Sequence, residues 1–151
     1  MIIRPVAAGD FDQWLPLWDA YNAFYGRSGP TALPRSVSET TWARFLDPAE
    51  PVHALVADRE AQVLGIAHYL FHASTTSAEP VCYLQDLLTT ELERGRGVGR
   101  ALIEGVAERA AAAGAKRLYW HTHTTNATAR RLYDQVATET GFIVYSRKTS
   151  P

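Results

Sequence analysis

Apolar residues recur every three to four positions in three stretches of the chain, which is the pattern of a helix with one buried face. The first stretch follows Asp10, a good helix cap, and contains Pro16, which predicts a kink or a helix start near that residue. The second begins near Ser36 or Ser38 and is stopped by Pro48. The third runs from residue 98 to 113 before a glycine, and a fourth helix is predicted from residue 126 to about 140.

Shorter runs rich in β-branched and aromatic residues predict six strands between these helices. They cover residues 2–6, 52–58, 62–72, 81–89, 116–122 and 141–145, and the second and third are close enough to form a hairpin. The predicted order is therefore strand, two helices, three strands, helix, strand, helix, strand. This is an α/β (α+β) chain without repeats or a linker, so residues 1–151 are expected to form a single domain.

Composition narrows the class of protein without naming its function. The chain is 46% apolar and 21% charged, which is ordinary for a globular domain. A formal charge of −1 gives no general attraction to nucleic acid or to an anionic membrane. The sequence has no apolar run of membrane-spanning length and no signal-peptide pattern, and its single cysteine, Cys82, excludes an internal disulfide. These features predict a cytoplasmic protein.

Glycines and arginines alternate between the strand predicted at 81–89 and the helix that follows it. The segment consists of Arg94, Gly95, Arg96, Gly97, Val98, Gly99 and Arg100. Glycine permits close approach to the backbone, a helix N-terminus presents free N–H groups, and arginine forks suit phosphate oxygens. The segment thus predicts a pyrophosphate site, although a flexible surface loop has the same composition. A Walker loop is excluded because Arg100 stands where that motif needs lysine.

The spacing Arg94-x-x-Gly97-x-Gly99 resembles the pyrophosphate motif of the GNAT superfamily of N-acetyltransferases. A second segment, Asn126-x-x-Ala129-x-x-x-Tyr133, also resembles that family, and the likeness is strongest to its small fungal histone/polyamine and spermidine/spermine types. The resemblance implies a mixed sheet splayed between two parallel strands, with acetyl-coenzyme A in the gap. The cofactor-binding residues it implies are Leu87, Leu88, Thr89, Arg94, Gly95, Arg96, Gly97, Val98, Gly99, Arg100, Asn126 and Tyr133.

The Asn126 segment has a spacing that helix geometry explains. Seven residues at about 100° each return close to the starting direction, so Asn126 and Tyr133 share one helix face. The resemblance implies that Asn126 binds the cofactor arm and that Tyr133 protonates the departing thiolate. A phenol with a pKa near 10 remains protonated at neutral pH and can donate that proton. A capping asparagine and a core tyrosine would show the same spacing.

The acceptor side is less well defined, because Gln85-Asp86 stands where related enzymes often have Glu-Asp. A glutamine cannot accept the proton of an ammonium group, although it can orient water. Asp86, His121 and His123 remain as candidates, with Glu79 further away, and we expect Asp86 to bind the ammonium while water relays the proton. Adjacent strand residues face opposite ways, so Gln85 and Asp86 share the cleft only if a bulge intervenes. The predicted catalytic residues are Tyr133, Asp86 and Gln85.

Aromatic residues in the first helix could contact an alkylammonium, although aromatics at helical spacing are more often core residues. The predicted substrate-binding residues are Trp18, Tyr21, Tyr25, Asp86, His121 and His123.

Taken together, these features predict an acetyl-coenzyme A-dependent N-acetyltransferase that acts on a primary amine of a small molecule or on a lysine side chain by direct attack. The alternative is a non-catalytic acetyl-coenzyme A sensor or interaction module. The resemblance and the aromatic residues near the C-terminus predict a homodimer or a larger homo-oligomer. A metal site is not expected, since the histidines and carboxylates lack ligand spacing. Nucleic acid and membrane partners are not expected either, because the formal charge of −1 gives no general attraction to them.

Overall fold

The computed structural model describes residues 1–151 and contains four α-helices and five β-strands. The strands are β1 (Ile2–Pro5), β2 (Val52–Arg59), β3 (Gln62–His72), β4 (Val81–Thr89) and β5 (Leu118–Tyr119). The helices are α1 (Phe11–Phe24), α2 (Arg35–Leu46), α3 (Val98–Ala112) and α4 (Ala127–Val136). The chain divides into two compact units, Met1–His121 and Thr122–Pro151. None of the helices is both long enough and apolar enough to cross a bilayer.

The first unit holds all five strands in one mixed sheet, in the order β1-β2-β3-β4-β5. The first three pairings are antiparallel, and β4 pairs with β5 in parallel. That last pairing joins only Cys82 to Leu118 and Tyr83 to Tyr119. Beyond Tyr83, β4 continues to Thr89 without a strand beside it on that edge. The sheet therefore opens between two parallel strands, as the family resemblance implied.

Helices cover both faces of the sheet. On one face, Trp14 and Trp18 of α1 and Trp42 of α2 form an aromatic cluster over Ile66. Trp14 is fully buried, and its ring centroid lies 4.9 Å from that of Trp42. Burial of large apolar side chains contributes about 1.5–3 kcal/mol each, so this cluster is a major part of the core. Within α1, Trp14, Trp18 and Tyr21 are thus core residues, whereas Phe24 is 67% exposed.

On the other face, α3 packs closely enough to require glycine in the strand below it. A Cβ at Gly65 of β3 would lie 2.9 Å from Val98 Cγ1 and 2.8 Å from the carbonyl oxygen of Leu88. The stripe predicted for α3 is buried at Val98, Leu102 and at two later positions, Val106 and Ala110. The start of α3 is therefore held directly against β3 and β4.

A partly buried ion network joins the beginning of the chain to the hairpin. Arg4 Nη1 donates a hydrogen bond to Asp10 Oδ2 at 2.7 Å, and Arg4 Nε donates to Asp58 Oδ2 at 2.8 Å. The backbone N–H of Ala7 also donates to Asp10. The pKa of Asp10 is lowered from its ordinary value, first by the hydrogen bond from Arg4 and also by that from Ala7. This network fixes the entry into α1.

Several predicted bounds are wrong. The strand predicted at 116–122 forms only as β5, and α4 ends at Val136 rather than near residue 140. No strand forms at 141–145, where Phe142 is 92% exposed and Tyr145 is 89% exposed. A strand needs a hydrogen-bonded neighbour as well as a suitable composition, and neither composition nor the family's order of elements supplies that neighbour. At the other end, α2 begins at Arg35, directly after Pro34, and α1 runs through Pro16.

Candidate active site

The segment of alternating glycines and arginines forms an open turn at the start of α3. After β4 ends, Glu91–Glu93 makes one turn of 3-10 helix, and Gly95 and Gly97 then take φ values of +76° and +85°. These left-handed conformations are costly for other residues, which explains glycine at both positions. No side chain caps α3, and the first N–H groups of a helix have no acceptor within the helix. The turn therefore fits a pyrophosphate group.

A cavity of about 430 Å³ lies beside this turn, between α1 and the end of β4. Leu88, Thr89 and Arg94 line it on one side, and Leu17, Ala20 and Phe24 of α1 line it on the other. Its wall thus contains three of the predicted cofactor-binding residues. It is largely apolar with one arginine at its edge, which suits an arm that ends in a phosphate group.

The three arginines of the turn do not occupy equivalent positions. Arg96 lies 3.6 Å from Glu93, a carboxylate that Arg59 also contacts at 3.1 Å. The Glu93 side chain is only 12% exposed, and through it the turn is tied to Arg59 at the end of β2. Arg94, in contrast, lines the cavity. Arg94 is therefore the best placed of the arginines with described surroundings to meet a phosphate.

The open edge of β4 presents backbone groups beside this cavity. Thr90 N–H donates to the carbonyl of Leu64 in β3, and Leu88 faces Ile66 in the β3–β4 register. Backbone groups of successive strand residues point to opposite edges, so those of Leu88 face β3 while those of Leu87 and Thr89 face the open edge. An extended ligand could pair with these two residues as an added strand.

A second cavity, of about 390 Å³, lies between α1, α2 and the sheet. Gln85 and Asp86 both line it, together with Trp18. They share it because the β3–β4 register shifts: His68 faces Asp86, and Tyr69 faces Leu84. Gln85 is thus the extra residue of a β-bulge, the irregularity that the sequence required if both residues were to face one cleft.

Asp86 lines this second cavity and belongs to a buried hydrogen-bonded line. His68 Nδ1 lies 2.9 Å from Asp86 Oδ2, and Trp14 Nε1 donates to His68 Nε2 at 2.9 Å. The side chains of His68 and Asp86 are 3% and 10% exposed. The pKa of Tyr21 is raised by burial and by the nearby charge of Asp86. Sequence reasoning missed His68, because a histidine within an apolar strand gives no sign of its partner.

Two arginines that were not predicted also line the acceptor-side cavity. Arg27 follows α1 and donates a hydrogen bond from Nε to Asn22 Oδ1 at 2.6 Å, while Arg44 belongs to α2. Neither arginine forms an ion pair with Asp86. The cavity therefore carries positive and negative groups at separate places on its wall.

The remaining predicted acceptor residues of the first unit lie outside this cavity's lining or deep in the core. Tyr21 is 9% exposed, and its ring centroid lies 4.9 Å from that of Tyr25, which is 36% exposed. His121 is exposed, and its Nδ1 lies 3.4 Å from the hydroxyl oxygen of Tyr83. Of the predicted substrate-binding residues, Trp18 and Asp86 are the two that line the cavity.

The second unit contains the other predicted motif. Asn126 caps α4, since its Oδ1 accepts a hydrogen bond from the N–H of Ala129 at 3.4 Å. Asn126, Ala129 and Tyr133 are half-buried, whereas Ala127 and Thr128 are exposed, which agrees with the predicted shared face. The predicted His123 is exposed. Contact of Asn126 or Tyr133 with a cofactor stays a prediction.

Comparison with known proteins identifies the family. The sequence profile of the acetyltransferase (GNAT) family matches residues 14–137. The chain belongs to the GNAT acetyltransferase family. It is 38% identical over 149 residues to the D-amino-acid N-acetyltransferase HPA3 of Saccharomyces cerevisiae, a match covering 97% of this chain and 90% of that protein. The protein is therefore an N-acetyltransferase that uses acetyl-coenzyme A, as its sequence predicted.

Solved structures of other acetyltransferases share the fold of this GNAT chain. The aminoglycoside acetyltransferase AAC(6')-Iy, in complex with a bisubstrate analogue, superposes with a TM-score of 0.83 at 18% identity, over 99% of this chain and 98% of that one. The ribosomal-protein-alanine N-acetyltransferase of Brucella melitensis superposes with a TM-score of 0.76 at 18% identity, over 98% of this chain and 99% of that one. At such identities the likeness shows the fold alone.

Proposed function

We propose that this GNAT enzyme acetylates the primary amine of a small zwitterion, with free amino acids as the substrate class. The observation that carries this proposal is the distribution of charge in the 390 Å³ cavity, where the buried carboxylate of Asp86 shares the wall with Arg27 and Arg44. An ammonium group suits Asp86, and a carboxylate suits the arginine forks. The relative HPA3, named a D-amino-acid N-acetyltransferase, supports the same class.

The acceptor must lose a proton before its nitrogen can attack, because an alkylammonium is largely protonated at neutral pH. In the proposal, the Asp86 carboxylate accepts a hydrogen bond from the ammonium and holds it at the cavity wall. Gln85, brought to the same cavity by the bulge, orients a water molecule that takes the proton to solvent. Attack by the neutral amine then forms the amide directly, without an acyl-enzyme.

Acetyl-coenzyme A supplies the activated acetyl group when it is bound. In the proposal, the turn from Arg94 to Arg100 binds its pyrophosphate, because the glycines permit close approach and α3 has no side-chain cap. The open edge of β4 pairs with the arm through Leu87 and Thr89, while Leu88 contacts it by its side chain. By the motif that α4 carries, Asn126 would bind the cofactor arm and Tyr133 would donate a proton to the departing thiolate. The motif of α4 supports these last two roles.

The acceptor class is tested by measuring thiol release with matched amines. We expect a free D- or L-amino acid to be acetylated with a higher kcat/KM than its carboxamide, which keeps the amine but lacks the carboxylate. Arg44→Gln should reduce that preference, whereas Arg35→Gln, a change at the start of α2 outside the cavity lining, should leave it intact. Equal kcat/KM values for the acid and the amide, or a preference for lysine peptides, would refute the zwitterion proposal.

We also propose that residues 1–151 work as one acetyltransferase domain and that the protein is a homodimer. Association is supported by a run of exposed apolar and aromatic residues near the C-terminus, Phe142, Ile143, Val144 and Tyr145. Exposed apolar patches often mark protein–protein interfaces, because burying them removes apolar surface from water. Light scattering at micromolar concentration tests this directly. A monomer mass would refute the dimer, and a Tyr145→Ser variant should favour the monomer if this run forms the interface.

A further inference from the structure

The line of hydrogen bonds from Trp14 through His68 to Asp86 fixes the protonation state of its central residue. The indole N–H of Trp14 is a donor only, and it points at His68 Nε2 over 2.9 Å. His68 Nε2 must therefore accept, so it carries no proton. A second proton there would face the indole hydrogen at contact distance, and Trp14 is fully buried, with its ring packed against those of its neighbours.

The other ring nitrogen of His68 then has one possible role. In a neutral imidazole with an unprotonated Nε2, the hydrogen is on Nδ1, which lies 2.9 Å from Asp86 Oδ2. His68 consequently donates to the carboxylate without adding a positive charge beside it. Asp86 is oriented by this bond, yet its negative charge is left for a cation that enters the cavity.

We propose that His68, held in the Nδ1–H form by Trp14, is a positioning residue that aims the Asp86 carboxylate at the acceptor's ammonium group. This inference rests on the proposed function, since it assigns a positioning role to a residue of the same cavity. A charged histidine at this place would neutralise Asp86 and weaken its attraction for an ammonium. Trp14, which belongs to α1, opposes that charge because its indole N–H occupies the position where a proton on His68 Nε2 would lie.

The geometry also argues against a role limited to core packing. A buried carboxylate is costly unless it is well hydrogen-bonded, and an apolar residue would fill this position with no such cost. Asp86 is held instead at a cavity wall, next to a bulge that turns Gln85 toward the same space. The three side chains come from α1, β3 and β4, so the line couples the aromatic core directly to the acceptor site.

Two substitutions of His68 separate positioning from packing. An asparagine amide can take the place of Nδ1 and donate to Asp86, whereas a glutamine amide reaches the place of Nε2 and meets Trp14 instead. We expect His68→Gln to raise the KM for the amine by about tenfold or more, the effect of losing one hydrogen bond to a charged group. We expect kcat to fall less and the Kd for coenzyme A to stay unchanged. His68→Asn should recover most of the loss in KM.

A second measurement does not depend on turnover. In long-range ¹H–¹⁵N spectra, with the His68 signals assigned by their loss in His68→Gln, we expect Nδ1 to be protonated and Nε2 unprotonated near neutral pH. Trp14→Phe removes the indole N–H and keeps a ring in the core, so it should let protons populate Nε2. Trp42→Phe is the matched control, because it removes an indole from the same aromatic cluster without touching the line.

The outcomes distinguish this inference from the proposed function. A proton on Nε2 of His68 in the wild-type protein overturns the inference. So does a His68→Gln variant that keeps the wild-type KM for an amine, or an asparagine variant no better than the glutamine one. If the wild-type protein acetylates no amino acid or other small amine, the proposed function fails first, and the spectra then decide the form of His68 separately.

Discussion

Replacing Gly65 by alanine tests the contact that holds the start of α3 on the sheet. The added Cβ would lie 2.8 Å from the Leu88 carbonyl oxygen and 2.9 Å from Val98 Cγ1, with Leu102 Cδ1 at 3.1 Å. Overpacking of this kind costs about 1–3 kcal/mol. The lost backbone freedom of the unfolded chain offsets about 0.4–1 kcal/mol of that. The net loss is therefore at most about 2.6 kcal/mol, and because the added Cβ meets a backbone atom at 2.8 Å we expect a value in the upper part of that range, which lowers the Tm by up to about 10 °C in a domain of this size.

The same substitution should also weaken cofactor binding. Leu88 lines the 430 Å³ cavity, and Val98 is the first residue of α3, so relief of the clash moves the strand edge and the helix N-terminus apart. Gly105→Ala is the matched control: its Cβ would lie 2.6 Å from Ile3 Cγ2, but two helical turns beyond Val98.

Scanning fluorimetry and calorimetric titration with coenzyme A give the two readouts for this pair of variants. We expect both variants to lose thermal stability, and only Gly65→Ala to show a raised Kd. If Gly65→Ala keeps the wild-type Tm and Kd, the reasoning about this contact is wrong.

Three further substitutions and one chemical modification test other parts of the structure. Arg94→Ala should raise the Kd for coenzyme A by about tenfold, the effect of losing one charge-assisted bond, as measured by calorimetry. Tyr133→Phe should lower the single-turnover rate by about 10²–10⁴-fold with little change in cofactor affinity, because general acid catalysis contributes that much. Asp10→Asn should cost about 1–3 kcal/mol of stability at pH 7 in urea unfolding. Because the folded pKa of Asp10 is lowered, its stabilisation is present above its ordinary pKa and is lost as pH falls through the folded value, so the difference should disappear in acid. Cys82 should react with iodoacetamide at pH 8 only after unfolding, because burial raises the pKa of its thiol to about 11.

Each of these tests has a control variant or an outcome that would contradict it. Arg117→Ala removes a surface arginine outside both cavities and should not affect the Kd that Arg94→Ala raises. Wild-type rates in Tyr133→Phe would show that the phenol is not the acid. A stability loss for Asp10→Asn that is as large in acid as at neutral pH would mean that the charge is irrelevant. Rapid alkylation of native Cys82 would contradict its burial, and a thiol that accessible would also add background to thiol-release assays.

Periodicity predicted the helices that lie on the sheet because their apolar spacing follows directly from that contact. Val98, Leu102 and Val106 of α3 are buried at the predicted spacing. The hairpin between β2 and β3 was also predicted from the local sequence, although its turn residues Glu60 and Ala61 take positive φ without glycine. Local sequence sufficed for these elements because their neighbours are close along the chain.

Elements and contacts that depend on distant partners were not predictable in this way. The run from Phe142 to Tyr145 has the composition of a strand, yet whether it becomes one depends on a hydrogen-bonded neighbour that composition does not reveal. His68 is 54 positions from Trp14 and 18 from Asp86, so no local motif announces their contact. The bulge at Gln85 was foreseen only as a condition, because a register shift depends on the facing strand.

The short pairing between β4 and β5 has a consequence for handling the protein. From Leu84 to Thr89, β4 offers an edge with no strand beside it, and an open strand edge is a template for pairing with another chain. A ligand that pairs with this edge would cover it as a terminal strand does in a closed sheet. We therefore expect the cofactor-free enzyme to aggregate more readily on storage or warming than the enzyme with coenzyme A bound. Added coenzyme A should keep the protein soluble without any change to its sequence.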